Sequence, residues 1–276
     1  MRNRMLHVFR NTPSGRENLL QSAYFCRQYS GLSLSVYVPT HPRFNMSFDA
    51  HEVVVHLDSS YLFRPQSARV HVEEILETAD VPFDFYVPEK RTGQDLPALA
   101  KDFEFMGCPR AVTEQSGRIG LGNIGPKVRA IVKHARFPVL IPSMTFKPWN
   151  SVAIFFGGSP LGAQAVELGL AVAREANVPF AVYTQLEKTD RSHCEQTLAD
   201  ANLLDRVRGP SGRWELFDEG TLEENLWAVP HDSLVVIGAA GQRLIRELVL
   251  GSHLEKVQSV LPNPLLVVGP FWGSSF

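Results

Sequence analysis

The sequence has few cysteines, little net charge and no long apolar run. Its three cysteines, Cys26, Cys108 and Cys194, are widely separated and form no C-x-x-C pair, which excludes a disulfide framework and a cysteine zinc site. The formal net charge of −2 excludes an overall basic nucleic-acid-binding protein. No uncharged apolar stretch approaches the ~20 residues that cross a bilayer, and MRNRMLHVFRN at the start has no apolar signal-peptide core. We therefore expect a cytoplasmic protein with reduced thiols and no membrane insertion.

What the sequence does contain is an internal repeat. The length of 276 residues, 44% hydrophobic and 20% charged, suits a soluble protein of two domains. HVFRNTPSGRENLL (7–20) aligns with IFFGGSPLGAQAVE (154–167), each with a strand end, a Thr-Pro or Ser-Pro pair, a glycine and a helix-forming segment. Three further pairs of strand-like segments align: 32–39 with 179–185, 102–107 with 232–238, and 137–143 with 263–270.

The repeat predicts the fold class. Stretches with helical spacing, such as 67–79 and 195–207, separate the strands, so the order β-α-β-α-β-α-β-α-β occurs twice. This alternation predicts an α/β protein of two Rossmann-like domains, each a five-stranded parallel sheet with helices on both faces. The polar, proline-marked segment PSMTFKPWNS places the boundary between domains 1–147 and 148–276. We expect the last strands of the two copies to pair, which gives an intramolecular pseudo-dimer.

The helix of the second copy has clear end signals. Ser159 is the expected N-cap, Pro160 the first helical residue and Asn177 the C-cap. In an open α/β sheet, ligands bind beyond the carboxyl ends of the strands, where the strand order reverses. Gly157 and Gly238 both follow or end predicted strands at that edge.

A glycine pattern near the C-terminus is the main candidate for a binding site. Gly238 ends a strand, Gly241 follows, and nine residues separate Gly241 from Gly251 and Ser252. Free N–H groups at a strand end and a helix start suit a phosphate. In the alternative interpretation, Ser252 only caps its own helix through the capping box Ser252-His253-Leu254-Glu255. No lysine occurs in the stretch, so it is not a Walker A loop.

The pattern Gly238-x2-Gly241-x9-Gly251-Ser252, followed by NPLLVV, resembles the ATP-binding signature of the universal stress protein family. The resemblance extends over the whole chain as two fused copies of that family's fold, which is similar to adenine nucleotide alpha hydrolases. It implies that an adenine nucleotide of the ATP type, with or without Mg²⁺, binds the second copy. By position, the phosphates would meet the backbone of the four motif residues, with His253 and Leu254 just beyond, and Ile237 and Thr184 would border the ribose and adenine.

Two departures from the family pattern bear on this implication. Gly157 stands where nucleotide-binding members usually have an aspartate. In the first copy, Gly107 and Gly120 keep the spacing of Gly238 and Gly251, but Arg110 replaces the middle glycine and Leu121 the serine. We therefore expect the first copy to have a structural role and to bind no nucleotide in the family manner.

Other patterns are weaker. GLGNIG (120–125) matches G-x-G-x-x-G but follows no strand and has no acidic residue ~20 positions later, so we expect a loop leading into a helix at Pro126. HEVVVH (51–56) is not a zinc-binding helix, because its two histidines would face different sides of a helix. Its valines favour a strand, with the histidines at the surface. Arg91, Arg110 and Arg118 form either an anion patch or a solvated face. Trp214, Trp227 and Phe217 are expected in a core.

Two functions follow from these patterns. The first is a stress-response or regulatory protein that binds an adenine nucleotide in its C-terminal domain; any hydrolysis should be slow, because the motif offers positioning amides but no visible base. The second is a nucleotide-free protein of the same fold that regulates a protein partner by docking. No catalytic constellation supports a metabolic enzyme. The sequence leaves open whether two chains form a homodimer.

Overall fold

The computed structural model describes residues 3–48, 51–56, 65–87, 95–96, 103–110, 124–186, 190–210, 212–239 and 261–273. The strands in these residues are β1 (Asn3–Val8), β2 (Leu32–Tyr37), β3 (Arg43–Phe48), β4 (His51–His56), β5 (Phe83–Phe85), β6 (Asp95–Leu96), β7 (Phe105–Gly107), β8 (Val139–Ile141), β9 (Ser151–Phe155), β10 (Phe180–Gln185), β11 (Gly212–Phe217), β12 (Ser233–Gly238) and β13 (Leu265–Val268). The helices are α1 (Pro13–Gln28), α2 (Pro65–Glu77), α3 (Pro126–His134), α4 (Pro160–Ala176), α5 (Arg191–Asp200), α6 (Leu204–Arg208) and α7 (Leu222–Asn225), with a 3₁₀ turn at Leu226–Ala228.

Ten of these strands form one continuous sheet in the order β11-β10-β9-β12-β13-β8-β7-β1-β2-β5. Strands from 3–141 fill one half and strands from 151–268 the other, and pairing within each half is parallel. The halves meet where β13 and β8 pair antiparallel, with Leu266 opposite Leu140. The predicted α/β class and the predicted pairing of the last strands are confirmed.

A small second sheet was not predicted. Strands β3 and β4 form an antiparallel hairpin, and β6 adds to it in the order β4-β3-β6. The segment HEVVVH is therefore a strand, as predicted, and His51 and His56 are exposed. The inward residues Phe44, Met46 and Phe48 join the core on one face of the large sheet, and β4 contacts α3. The hairpin thus covers part of a face that we expected only helices to cover.

The helix that follows the first strand begins in the same way in both halves. Thr12 caps α1 by accepting from the Gly15 N–H at 2.9 Å, and Ser159 caps α4 by accepting from the Gly162 N–H at 3.0 Å. Proline occupies the first helical turn in both. Asn177 ends α4 in the left-handed conformation, with φ 53°, as the sequence predicts.

The core is divided by the sheet into two layers. Helices α1 and α4 lie on the same face and contact each other, together with α2, α5 and α6. The opposite face holds α3 and the hairpin. The predicted helical stretch 195–207 breaks into α5 and α6, because Asn202 adopts a left-handed φ of 56° between them. Leu198 and Val207 nevertheless remain buried.

Two sequence expectations concern thiols and membranes. Cys26, Cys108 and Cys194 are all free and buried, and burial raises the pKa of each thiol. Buried thiols held in the protonated form are poor nucleophiles. In the described ranges, no helix is both long enough and apolar enough to cross a membrane.

Candidate functional site

The strand order reverses once within each half, which defines one candidate edge in each. In the second half, the chain passes from β9 to β10 on one side and reaches β12 on the other. Strands β9 and β12 are parallel neighbours, with Val236 opposite Ile154. Gly157 lies two residues beyond the end of β9, and Gly238 is the last residue of β12. Both glycines are therefore at the switch point, where α/β sheets bind ligands.

The rest of the predicted site is only partly visible. Thr184 and Ile237 lie near the same edge, in β10 and β12. Five predicted positions, Gly241, Gly251, Ser252, His253 and Leu254, lie outside the described residues. The predicted phosphate contacts of those five positions stay a prediction.

Gly238 has a packing reason to lack a side chain. A Cβ built there would lie 3.1 Å from the carbonyl oxygen of Leu161 and 3.2 Å from its Cγ. Leu161 is in the first turn of α4, so this glycine allows the helix to approach the strand end closely. Its occurrence in the motif is thus explained without a ligand, and the approach also brings the start of α4 to the switch point.

Thr184 and Ile237 contribute buried side chains. Thr184 is 1% exposed, and the indole Nε1 of Trp214 on β11 donates a hydrogen bond to its hydroxyl at 3.0 Å. Ile237 belongs to the core layer opposite α4. Both side chains are buried within the sheet, next to the strand ends that form the candidate site.

The loop after β9 is fixed by two residues that the sequence analysis did not single out. Gly158 has a left-handed φ of 78°, and its carbonyl accepts hydrogen bonds from His193 Nε2 at 3.0 Å and Thr197 Oγ1 at 3.1 Å. His193 and Thr197 lie one turn apart on α5, whose N-cap Asp190 accepts from the His193 N–H. Their four-residue spacing on one helix face was the available sequence signal.

A polar cluster closes the edge beside Thr184. Asn225 Nδ2 donates to Gln185 Oε1 at 2.7 Å, and Gln185 Nε2 donates to the Gly220 carbonyl at 3.3 Å. Asn225 ends α7, which begins with a capping box between Thr221 and Glu224. Gln185 is 9% exposed, so this cluster offers amide groups close to the surface at the end of β10.

The switch point of the first half is occupied by a buried pair. Gly107 on β7 lies opposite His7 on β1, and His7 Nδ1 is 2.9 Å from Ser22 Oγ. A Cβ on Gly107 would collide with the Ser22 hydroxyl and lie 3.0 Å from His7 Nδ1. Burial lowers the pKa of His7 to about 3, which keeps the imidazole neutral. This glycine is therefore a packing requirement, and the structural role of the first copy stays a prediction.

Arg110 holds the two halves together. Its Nε donates to the Pro142 carbonyl at 3.0 Å and its Nη2 to the Asn263 carbonyl at 3.1 Å. Burial lowers the pKa of the guanidinium to about 10. Arg110 therefore does not belong to a solvated face, because its guanidinium is engaged with main-chain carbonyls 32 and 153 residues away. Its place in an anion patch stays a prediction. Arg91 and Arg118 lie outside the described residues.

Two further outcomes concern aromatics and metals. Trp227 is 66% exposed, so its expected place in a core is wrong. Trp214 and Phe217 are partly buried against the core layers, as predicted. In the part of the chain that the structure describes, no group of three or more His, Cys, Asp or Glu side chains is arranged to hold a metal ion.

Comparison with solved structures identifies the fold. The chain is similar to a universal stress protein from Archaeoglobus fulgidus DSM 4304, with a TM-score of 0.63, 16% identity and coverage of 98% of this chain and 97% of that one. It is also similar to a putative universal stress protein from Pseudomonas aeruginosa UCBPP-PA14, with a TM-score of 0.54, 15% identity and coverage of 98% and 94%. The cytoplasmic domain of a prokaryotic cation chloride cotransporter matches with a TM-score of 0.52, 13% identity and coverage of 97% and 95%.

These likenesses show that the chain has the fold of the universal stress proteins over nearly its full length. The fold implied by the sequence resemblance is confirmed. No protein-family model matches the sequence. No curated protein matches it either.

Proposed function

We propose that this protein is a regulatory protein of the universal stress protein type that binds an adenine nucleotide at the switch point of its second half. The observation that supports this most strongly is the meeting of Gly157 and Gly238 at the ends of neighbouring parallel strands. The pattern Gly238-x2-Gly241-x9-Gly251-Ser252 begins at that point. A phosphate there would meet the main-chain amides of the glycines.

The surroundings of the edge are compatible with this role. Gly158 is held by His193 and Thr197, so the loop beside the nucleotide is fixed before binding, which reduces the ordering cost. Ser159 is used as a helix cap and supports the loop without contacting a ligand. In this proposal the nucleotide acts as a signal, and hydrolysis is slow at most.

A matched pair of glycine variants tests the proposal. Thermal unfolding is measured with and without millimolar ATP and Mg²⁺ for the wild type, Gly251→Val and Gly120→Val. We expect ATP to raise the melting temperature of the wild type and of Gly120→Val, since the first copy binds no nucleotide, and to leave Gly251→Val unchanged. Absence of an ATP shift in the wild type would exclude the nucleotide proposal.

A second candidate function is docking to a protein partner without a nucleotide. Three features favour it: Gly157 stands in place of the aspartate, Leu161 packs over Gly238, and Trp214 engages the hydroxyl of Thr184. The same fold forms the cytoplasmic domain of a cation chloride cotransporter, where it is part of a larger protein. In this case, affinity capture should recover the same partner with the wild type and with Gly251→Val, independent of ATP.

A further inference from the structure

A cavity of about 650 Å³ lies at the seam between the two halves. It is bounded by Arg110 after β7, by residues 143–149 after β8, and by residues that precede or begin β12 and β13. Because β8 and β13 run antiparallel, this edge holds the carboxyl ends of the first-half strands and the amino ends of the second-half strands. The cavity therefore lies at the opposite edge of the sheet from Gly157 and Gly238.

The walls of this seam cavity are mainly apolar and stiff. Met144, at its mouth, is 56% exposed, whereas Trp149 is buried and packs edge-to-face against Tyr24 at 5.6 Å. Three prolines, Pro148, Pro262 and Pro264, also line it. A volume of this size with apolar walls is typical of sites for small organic molecules, which occupy roughly 300–1,000 Å³.

The charged groups of the cavity are mostly cationic. The partly buried guanidinium of Arg110 donates hydrogen bonds to two carbonyls, and the ammonium of Lys147 is exposed at the rim. The half-buried carboxylate of Asp232 accepts a hydrogen bond from Asn150 Nδ2 at 3.3 Å.

Unsatisfied polar atoms cluster behind the same walls. Within the described residues, Gln21 Nε2, Trp149 Nε1 and Asn263 Oδ1 are buried without a hydrogen-bond partner. Trp149 lines the cavity. Gln21 accepts a hydrogen bond from the hydroxyl of Ser143, another lining residue, at 3.2 Å. Asn263 lies in the chain between Pro262 and Pro264, which line the cavity just before β13. Because these atoms have almost no accessible surface, they lie behind the cavity wall and are not direct contacts for a ligand.

From these observations we infer that the seam cavity binds a small organic anion with a flat apolar body, such as an aromatic carboxylate or sulfonate. The apolar body lies against the Met144, Phe146 and Trp149 walls, and the anionic group faces Arg110 with Lys147 at the rim. This site is separate from the proposed nucleotide site and does not depend on it. Because the ligand would touch both halves, its binding stabilises their pairing.

Fluorescence titration of the full-length protein with anilinonaphthalene sulfonate tests the inference, with neutral phenylnaphthylamine as the uncharged partner probe. We expect one saturable sulfonate site per chain and at least ten-fold weaker binding of the neutral probe, as expected for the loss of one charged contact. Lys147→Glu should weaken sulfonate binding on the order of five-fold and leave phenylnaphthylamine unchanged. Met144→Asp should weaken both probes.

Both altered side chains are exposed, so the variants are expected to fold, and melting temperatures verify this. Lys133→Glu on α3 repeats the charge reversal, and Val70→Asp on α2 places an aspartate at another exposed apolar position. Both positions lie outside the cavity, so these control variants should bind like the wild type. Equal affinity for the two probes, or sulfonate binding unaffected by Lys147→Glu and Met144→Asp, would overturn the inference. Loss of sulfonate binding in Gly251→Val would also overturn it, because the probe would then occupy the nucleotide site.

Discussion

Gly107 lies directly opposite His7 in the parallel register of β7 and β1, and the His7–Ser22 hydrogen bond fills the space where a side chain on Gly107 would be. The same position in the second half, Gly238, is approached by Leu161 instead. The two copies thus keep a glycine at the end of their fourth strand for different packing reasons. The presence of this glycine in both copies therefore does not imply that both copies bind a ligand.

The first prediction concerns Gly107. We expect Gly107→Ala to lower the free energy of unfolding by about 1–3 kcal/mol, because the new methyl group overlaps the Ser22 hydroxyl in a packed core. Urea denaturation measures the loss. In a double-mutant cycle with Ser22→Ala, the double variant should lose less stability than the sum of the losses of the two single variants. Strict additivity would show that the hydroxyl is not the obstacle.

The second prediction concerns the pH dependence of stability. His7 stays neutral in the folded protein down to about pH 3, whereas in the unfolded chain it takes up a proton near pH 6.5. The unfolded state therefore binds more protons between pH 6.5 and 3, so stability falls as the pH is lowered through this window, by up to about 1.4 kcal/mol per pH unit. Urea midpoints measured from pH 7.5 downwards should show a shallower decline in His7→Gln and the wild-type decline in His56→Gln.

The third prediction concerns the seam arginine. Arg110→Lys keeps the positive charge but cannot donate to the Pro142 and Asn263 carbonyls in the same fork geometry. We expect a loss of about 1–3 kcal/mol in the free energy of unfolding, since at least one buried carbonyl loses its donor. The exposed Arg206→Lys is the control and should unfold like the wild type. A wild-type urea midpoint for Arg110→Lys would contradict the role assigned to this side chain.

The fourth prediction restores a residue and follows from the proposed nucleotide site. The glycine with a left-handed φ in the loop after β9 is Gly158, so an aspartate at position 157 suits the backbone. We expect Gly157→Asp to tighten ATP binding about ten-fold, in keeping with one hydrogen bond to a charged group. Isothermal titration calorimetry provides the measurement. Arg10→Asp places an aspartate at the aligned position of the first half and should leave ATP affinity as it is. A gain in Arg10→Asp instead would assign the nucleotide to the other half.

Much of the fold could be predicted because its signals are local. The helix starts at Pro13 and Pro160, the cap at Asn177 and the alternation of strands and helices depend on residues a few positions apart. The β3–β4 hairpin was not predicted, although RFNMSF alternates apolar and polar residues, because it lies outside the repeated strand–helix order and forms a separate sheet. That alternation was sufficient to predict a half-buried strand.

The contacts of the site could not be predicted in the same way. Arg110 reaches acceptors in both halves, and His193 on α5 reaches the Gly158 carbonyl across 35 positions. Nothing in the neighbouring residues of either side chain specifies such a partner. The approach of Leu161 to Gly238 likewise arises only when helix α4 is packed on the sheet, so the glycine was interpreted from the motif alone.

Because β8 and β13 pair antiparallel, the carboxyl ends of the strands in the two halves lie at opposite edges of the sheet. Strand tips of the first half point one way and those of the second half the other, so a compound held at one rim does not obstruct a macromolecule that docks at the other.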